Sequence, residues 1–279
     1  MARALIFDCD GVLADTELEG HLPAFNAMFL SEGLPVQWSD EEYRRLVAIG
    51  GGKERLRTLF DDPEFVQVAG IPGEPEARTA LLTRWHAIKT AIYTDLVASG
   101  QLPGRPGVAR LMREARAAGW QLAVASTSAE PSVRAVLEQV VGVEFAREVR
   151  VFAGDVVAAK KPAPDIYLLA LKEIGVHATD AVVVEDSAIG AQASAAAGVK
   201  TMVTVNPLTE DQAFPAASLV VTSLGERDTP ASVLTNRAHV PFEGFVTLAT
   251  LEEIRSAQEV GDHPVEAGRS TGGMADVPK

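Results

Sequence analysis

At 279 residues and 47% hydrophobic content, the chain has material for one large domain or for a domain with a smaller companion. Its formal charge of −13 and pI of about 4.9 argue against a broad nucleic-acid or anionic-membrane footprint. A single cysteine excludes an internal disulfide, and no apolar run approaches the ~20 residues that span a bilayer, so a cytoplasmic protein is expected.

Residues 4–7 read as a fully buried strand, short and apolar without alternation, and the acids that follow at residue 8 leave no room for a leader peptide. From 16 to about 99 the pattern turns helical. Thr16 and Glu19 form a capping box for a helix through about Leu30. The longest helix is expected at 77–99, with Leu81, Trp85, Ile88, Ile92 and Leu96 as its apolar stripe. After the Pro103-Gly-Arg-Pro-Gly107 punctuation, strands at 121–125, 149–153, 181–184, 201–205 and 218–221 alternate with helices near 108–118, 132–141, 164–174 and 187–197. Such alternation implies right-handed crossovers and a mostly parallel sheet. The fold class is therefore α/β: a doubly wound core of 1–15 and 100–225, with an all-helical cap, 16–99, inserted after the first strand. Residues 226–279 read as a C-terminal extension with one short helix at 250–257 and a mobile tail from Gly261.

The first strand ends in Asp8-Cys-Asp10-Gly11, which on its own fits a turn, a calcium loop, a metal site or a catalytic pair. An EF-hand loop needs an oxygen ligand at its fifth position and glycine at its sixth, where this chain has Val12 and Leu13. The strand period of two sends Asp8 and Asp10 to one side and Cys9 to the other, as a packing residue. In open α/β sheets, ligands bind beyond the carboxyl ends of the strands. The other ends carry Ser126-Thr127-Ser128, Lys160-Lys161-Pro162 and Glu185-Asp186. In this order the groups suit a phosphoryl group and a hard divalent cation, with Mg²⁺ neutralising phosphate charge in an acidic protein. The Gly50-Gly-Gly-Lys-Glu-Arg55 stretch is not a Walker A loop, since that needs Gly at 47 and Ser or Thr at 54. Its glycines still offer backbone N–H groups, and Lys53 and Arg55 add charge.

Asp8-Cys-Asp10-Gly, Ser126, Lys161-Pro162 and Glu185-Asp186 resemble the four motifs of the haloacid dehalogenase-like hydrolase superfamily, over residues 4 to roughly 224. About 35 residues separate Ser126 from Lys161, too few for a second cap. That places the resemblance with the subgroup of β-phosphoglucomutase and phosphoglycolate phosphatase. Asp15-Thr-Glu17, Gly50–Arg55, His86-Ala-Ile-Lys89, Phe152–Asp155 and Val184–Gly190 are similar to the CbbY-like branch, which dephosphorylates xylulose 1,5-bisphosphate, an inhibitor of Rubisco.

The resemblance implies Asp8 as nucleophile and Asp10 as acid/base. Ser126 and Lys161 would hold the transferring phosphoryl group. Mg²⁺ would sit on Asp8, the Asp10 carbonyl and Asp186, with Glu185 nearby. It also implies substrate contacts from Glu17, Gly51, Gly52, Lys53, Glu54, Arg55, His86, Lys89, Thr127 and Ser128. The expected partner is a small phosphorylated sugar, met by a monomer. Phosphoglycolate or another sugar phosphate, a mutase reaction, and a non-catalytic phosphosugar sensor are the alternatives. Lys160 reads as a solvated neighbour, Glu185 and Ser128 have alternative roles as helix caps, and His21 and Tyr43 stay outside the expected site.

Overall fold

The computed structural model describes residues 2–100 and 102–257. Strand β1 (Ala4–Phe7) is buried at every position. The chain then runs through a π-helical turn (Glu17–His21) into α1 (Leu22–Ser31), α2 (Asp40–Leu46), α3 (Gly52–Arg57), α4 (Pro63–Val68) and the long α5 (Pro75–Ala98). The rest alternates: α6 (Val108–Ala117), β2 (Gln121–Ser126), α7 (Glu130–Val141), α8 (Val143–Ala146), β3 (Arg150–Ala153), α9 (Asp165–Ile174), β4 (Ala181–Glu185), α10 (Ala188–Ala196) and β5 (Lys200–Thr204). It closes with β6 (Ala217–Val221), β7 (Val233–Asn236) and α11 (Leu248–Ser256).

The sheet order is β3-β2-β1-β4-β5-β6-β7, and all neighbours are parallel except β6 and β7. This is the expected α/β architecture, with the helical segment between β1 and β2. Each strand expected from sequence is present to within one residue at either end. Alternate residues serve opposite layers, which is why the strands are apolar throughout. Leu5, Phe7, Val182 and Val184 pack with α6, α7 and α11, whereas Ile6, Ala123 and Val183 pack with α9 and α10. A separate cluster around Phe25, Phe29, Trp38, Tyr43 and Trp85 holds the helical insertion together.

Strand order reverses at β1, flanked by β2 and β4, so their carboxyl ends open into one crevice. Phe7 is level with both Val124 and Val184, which sets Asp8 beside the ends of both neighbours.

Three expectations are corrected. The Thr16 hydroxyl does not cap a helix: it donates to Asp10 Oδ1 at 2.5 Å, and five residues of π-helical turn precede α1. The hydroxyl is instead committed as a donor to a charged acceptor, a charge-assisted bond stronger than a neutral cap. The most buried face of α5 is Leu82, Trp85, Lys89, Tyr93 and Val97, sharing Trp85 with the expected stripe, whose other members pack half-buried one position before it; a paired lysine occupies its centre. Finally, residues 226–257 do not stand apart as an extension. β7 extends the sheet, and Val246, Leu251 and Ile254 enter the main core. β7 is only four residues long with two apolar positions, so no hydrophobic run announced it. The expected tail from Gly261 lies outside the described residues. Among those described, no helix is long and apolar enough to cross a membrane.

Candidate active site

The floor of the crevice is made by strand ends. The Asp8 N–H continues the ladder to the Val184 carbonyl at 2.9 Å, which fixes the side chain where the sheet stops. Lys161 reaches in from the loop after β3. Its Nζ donates to Asp8 Oδ1 at 2.7 Å, Glu185 Oε1 at 2.7 Å and the Ala125 carbonyl at 3.0 Å. Burial opposes a charge on Lys161, but Asp8 and Glu185 outweigh it and hold its pKa well above the ordinary value. Glu185 is fully buried. Its Oε1 also accepts from the Tyr167 hydroxyl, and its Oε2 from the Asp186 N–H and the Ser187 hydroxyl. Glu185 does not cap α10; Ser187 does, accepting from the Gly190 N–H.

Asp8, Glu185 and Asp186 can bring one oxygen each within 4.8 Å of one another. Burial, with Glu185 and Asp10 adding to it and Lys161 resisting, pushes Asp8 up to about 7. Burial beside Glu185 and Asp8 raises Asp186 well above the carboxylate range. Asp186 Oδ2 accepts from Asn206 Nδ2 at 2.7 Å. Among the described residues no hydrogen bond reaches Asp8 Oδ2 or Asp186 Oδ1. Asp8 and Asp186 line the cavity, and one or two carboxylates are what Mg²⁺ takes from a protein while keeping several waters, so the residues fit such an ion. Gly11, at φ +75°, lets the chain pass over this pair: a Cβ there would lie 2.2 Å from Asp186 Oδ2.

Asp10 lines the same cavity but has a different set of partners. Its Oδ1 accepts from Thr16 and lies 2.9 Å from His21 Nε2, and its Oδ2 accepts from the Ser128 hydroxyl. Burial would raise this acid, but His21, Ser128 and Thr16 overcome it and hold Asp10 far below the usual range. The two acids of the opening motif are thus in opposite electrostatic settings. Ser126, buried at the end of β2, accepts the Ser128 N–H at 3.1 Å, and Thr127 lines the cavity beside it. Ser128 is not a helix cap, since α7 starts only at Glu130 with Ala129 at its N-cap.

The roof comes from the helical insertion, and together floor and roof enclose a cavity of about 350 Å³. The glycine loop is packed too tightly for side chains. A Cβ on Gly51 would lie 2.1 Å from Glu54 Oε2, and one on Gly52 would lie 2.7 Å from His86 Nε2. Lys53 pairs with Asp155 at 2.6 Å, and Lys160 with Glu54 at 3.0 Å and Asp155 at 3.2 Å. Lys160 is therefore not a free solvated neighbour but part of a four-charge seam between insertion and core.

Arg55 points inward, bidentate to Glu17 at 2.8 and 2.9 Å and bonded to the Tyr43 hydroxyl at 2.6 Å. Burial works against its charge, yet Glu17 more than restores it. Lys89 is buried with Nζ 2.5 Å from His21 Nδ1 and near the faces of Phe25 and Tyr93. Burial pushes Lys89 down to about 7. Burial, together with Lys89, Lys53 and Lys160, pushes His86 down to about 3, leaving that ring neutral at the cavity wall.

The expected site residues line this cavity except Glu185, buried behind it, and Lys53 and Glu54, which sit in the seam; Arg55 and Glu17 satisfy one another, and so do Lys53, Glu54, Lys160 and Asp155. His21, Tyr43 and Asn206 were missed. Asn206 could have been found by carrying the strand-end search one strand further. From sequence His21 reads as a packing or capping residue, because its partners Asp10 and Lys89 come from other segments.

The sequence profile of haloacid dehalogenase-like hydrolases matches residues 2–198. The chain belongs to that family. It is 43% identical to a CBBY-like protein of Arabidopsis thaliana, covering 81% of this chain and 70% of that one. It is 41% identical to the plasmid-borne protein CbbY of Cupriavidus necator, covering 82% and 88%. A crystal structure of a CbbY mutant from Rhodobacter sphaeroides, in complex with xylulose-(1,5)bisphosphate, superposes with TM-score 0.71 at 38% identity, covering 80% and 95%. This haloacid dehalogenase-like hydrolase is thus an enzyme, a phosphatase of CbbY-like type.

Proposed function

We propose that the chain is a Mg²⁺-dependent phosphatase of a sugar bisphosphate, with xylulose 1,5-bisphosphate as the best candidate. The observation that carries the chemistry is the buried Asp8, Glu185 and Asp186 cluster, with Asp8 and Asp186 lining the cavity. Similarity to a relative crystallised with xylulose-(1,5)bisphosphate supports the substrate.

In this reading Asp8 attacks phosphorus in line, forming an O–P bond to its carboxylate as the P–O bond to the sugar breaks. Asp10 gives a proton to the departing alkoxide and then takes one from the water that cleaves the aspartyl-phosphate. Asp10 is ionised in the present arrangement, suited to the second step; an anionic substrate beside it supplies the charge that brings a proton for the first. Ser126 and Lys161 hold the phosphoryl oxygens, whose charge is stabilised in the transition state. Asp8, Asp186 and the Asp10 carbonyl would hold the cation, which when bound neutralises phosphate charge. Glu185 serves by fixing Lys161.

Thr127 and Ser128 face the substrate from the floor. His86, Lys89 and the Gly51–Gly52 backbone do so from the roof, where Lys53 and Glu54 exchange their partners on opening. Glu17 and Arg55 shape the roof as a pair.

A panel of phosphorylated sugars assayed for phosphate release with Mg²⁺ tests the substrate. Xylulose 1,5-bisphosphate is expected to give the highest kcat/KM. Equal or better turnover of phosphoglycolate would overturn the assignment, and return of the phosphoryl group to the sugar would mark a mutase.

A further inference from the structure

We propose that Asn206 is a positioning residue of the cation site, holding one Asp186 oxygen so that the other is presented to the ion. The proposal rests on the Mg²⁺ reading above. Asn206 is 8% exposed and follows β5 by two residues, beside the end of β4. Its Nδ2 makes the one hydrogen bond received by the Asp186 carboxylate among the described residues.

The amide's own orientation is set from behind. Its Oδ1 accepts the Leu208 N–H at 2.8 Å, while the Asn206 N–H donates to Thr209 Oγ1 at 3.1 Å. A flipped amide would lose both the turn and the carboxylate, so the NH₂ end must face Asp186.

The support beneath this turn is equally fixed. The Arg105 guanidinium donates to the Gly11 carbonyl, to the Thr204 carbonyl at 3.2 Å and to the Val205 carbonyl at 2.5 Å. One cation thus ties the loop that carries the aspartates to the segment that carries Asn206. From above, Gly11 closes the space, since a Cβ there would also lie 2.5 Å from Asn206 Nδ2. Asp186 can hardly swing toward Gly11, and it is held there by the amide. Partners that orient a ligating carboxylate commonly change metal affinity about 10–100-fold when removed.

The test is calorimetric titration of Mg²⁺ into substrate-free protein, with Mn²⁺ binding followed by electron paramagnetic resonance. Asn206→Ser keeps an acceptor oxygen for the turn but is too short to reach Asp186. Asn206→Leu fills the space without a donor. Both are expected to raise the Mg²⁺ Kd about tenfold or more, with phosphatase activity restored by excess Mg²⁺. If the Leu variant does not fold, the Ser variant decides. Binding by Asn206→Ser within about twofold of wild type would overturn the proposal while leaving the Mg²⁺ reading intact. Absence of Mg²⁺ binding to the wild-type protein would instead overturn the reading on which it rests.

Discussion

The floor and the roof of the cavity both bury charge, but they balance it differently. On the floor, Asp8, Glu185 and Asp186 crowd around Lys161, and two carboxylate oxygens stay open. In the roof, Arg55 answers Glu17, and along the seam with the core Lys53 and Lys160 answer Asp155 and Glu54. The positions differ in origin as well. Floor residues sit where parallel strands stop, so sheet register fixes them; roof residues are placed by side chains meeting across separate helices. An unbalanced floor is suited to a cation and an anion in turn, whereas the roof pairs its carboxylates internally and buries Lys89 against His21.

The comparison breaks most visibly at Asp8. Asp8→Asn is expected to lower phosphate release about 10⁴-fold or more while circular dichroism and Tm stay close to wild type. Lys161→Met should damage both turnover and stability, because Asp8 and Glu185 would face each other without their shared cation. A loss of about 3–5 kcal/mol in denaturant unfolding is expected, together with a fall in kcat of about 10²–10³.

In the roof, Lys89→Met should stabilise the protein at neutral pH. The folded-state pKa of Lys89, about 7, lies below the 10.5 of the unfolded chain, so the unfolded chain binds more protons between those values. Wild-type stability therefore gains as pH rises from 7 toward 10.5, and the advantage of the variant, on the order of a few kcal/mol at pH 7, shrinks over that window. Denaturant midpoints across that range check it, and a rise in KM would show Lys89 binding substrate. Smallest is Lys53→Ala, whose partner Asp155 is 58% exposed. Stability should change by less than about 1 kcal/mol, and stopped-flow binding should show faster opening of the roof.

The same division explains what sequence made legible. Asp8, Ser126, Lys161 and Asp186 could be placed because each follows a recognisable apolar strand, and strand ends in such a sheet converge. The burial of Lys89 was not legible, since only Tyr93 of its enclosing groups lies on its own helix and His21 and Phe25 come from a distant segment. Arg55 reads as a phosphate ligand for the same reason: Glu17 is 38 residues away along the chain. β7 was invisible because it spans only four residues and its pairing depends on β6.

The most direct test of the floor is acid quenching of a single turnover with substrate labelled in its reactive phosphate. The account predicts acid-trapped label on the peptide that carries Asp8 in the wild-type protein and none in Asp8→Asn. Phosphate release by Asp8→Asn at the wild-type rate, with no labelled protein, would contradict it.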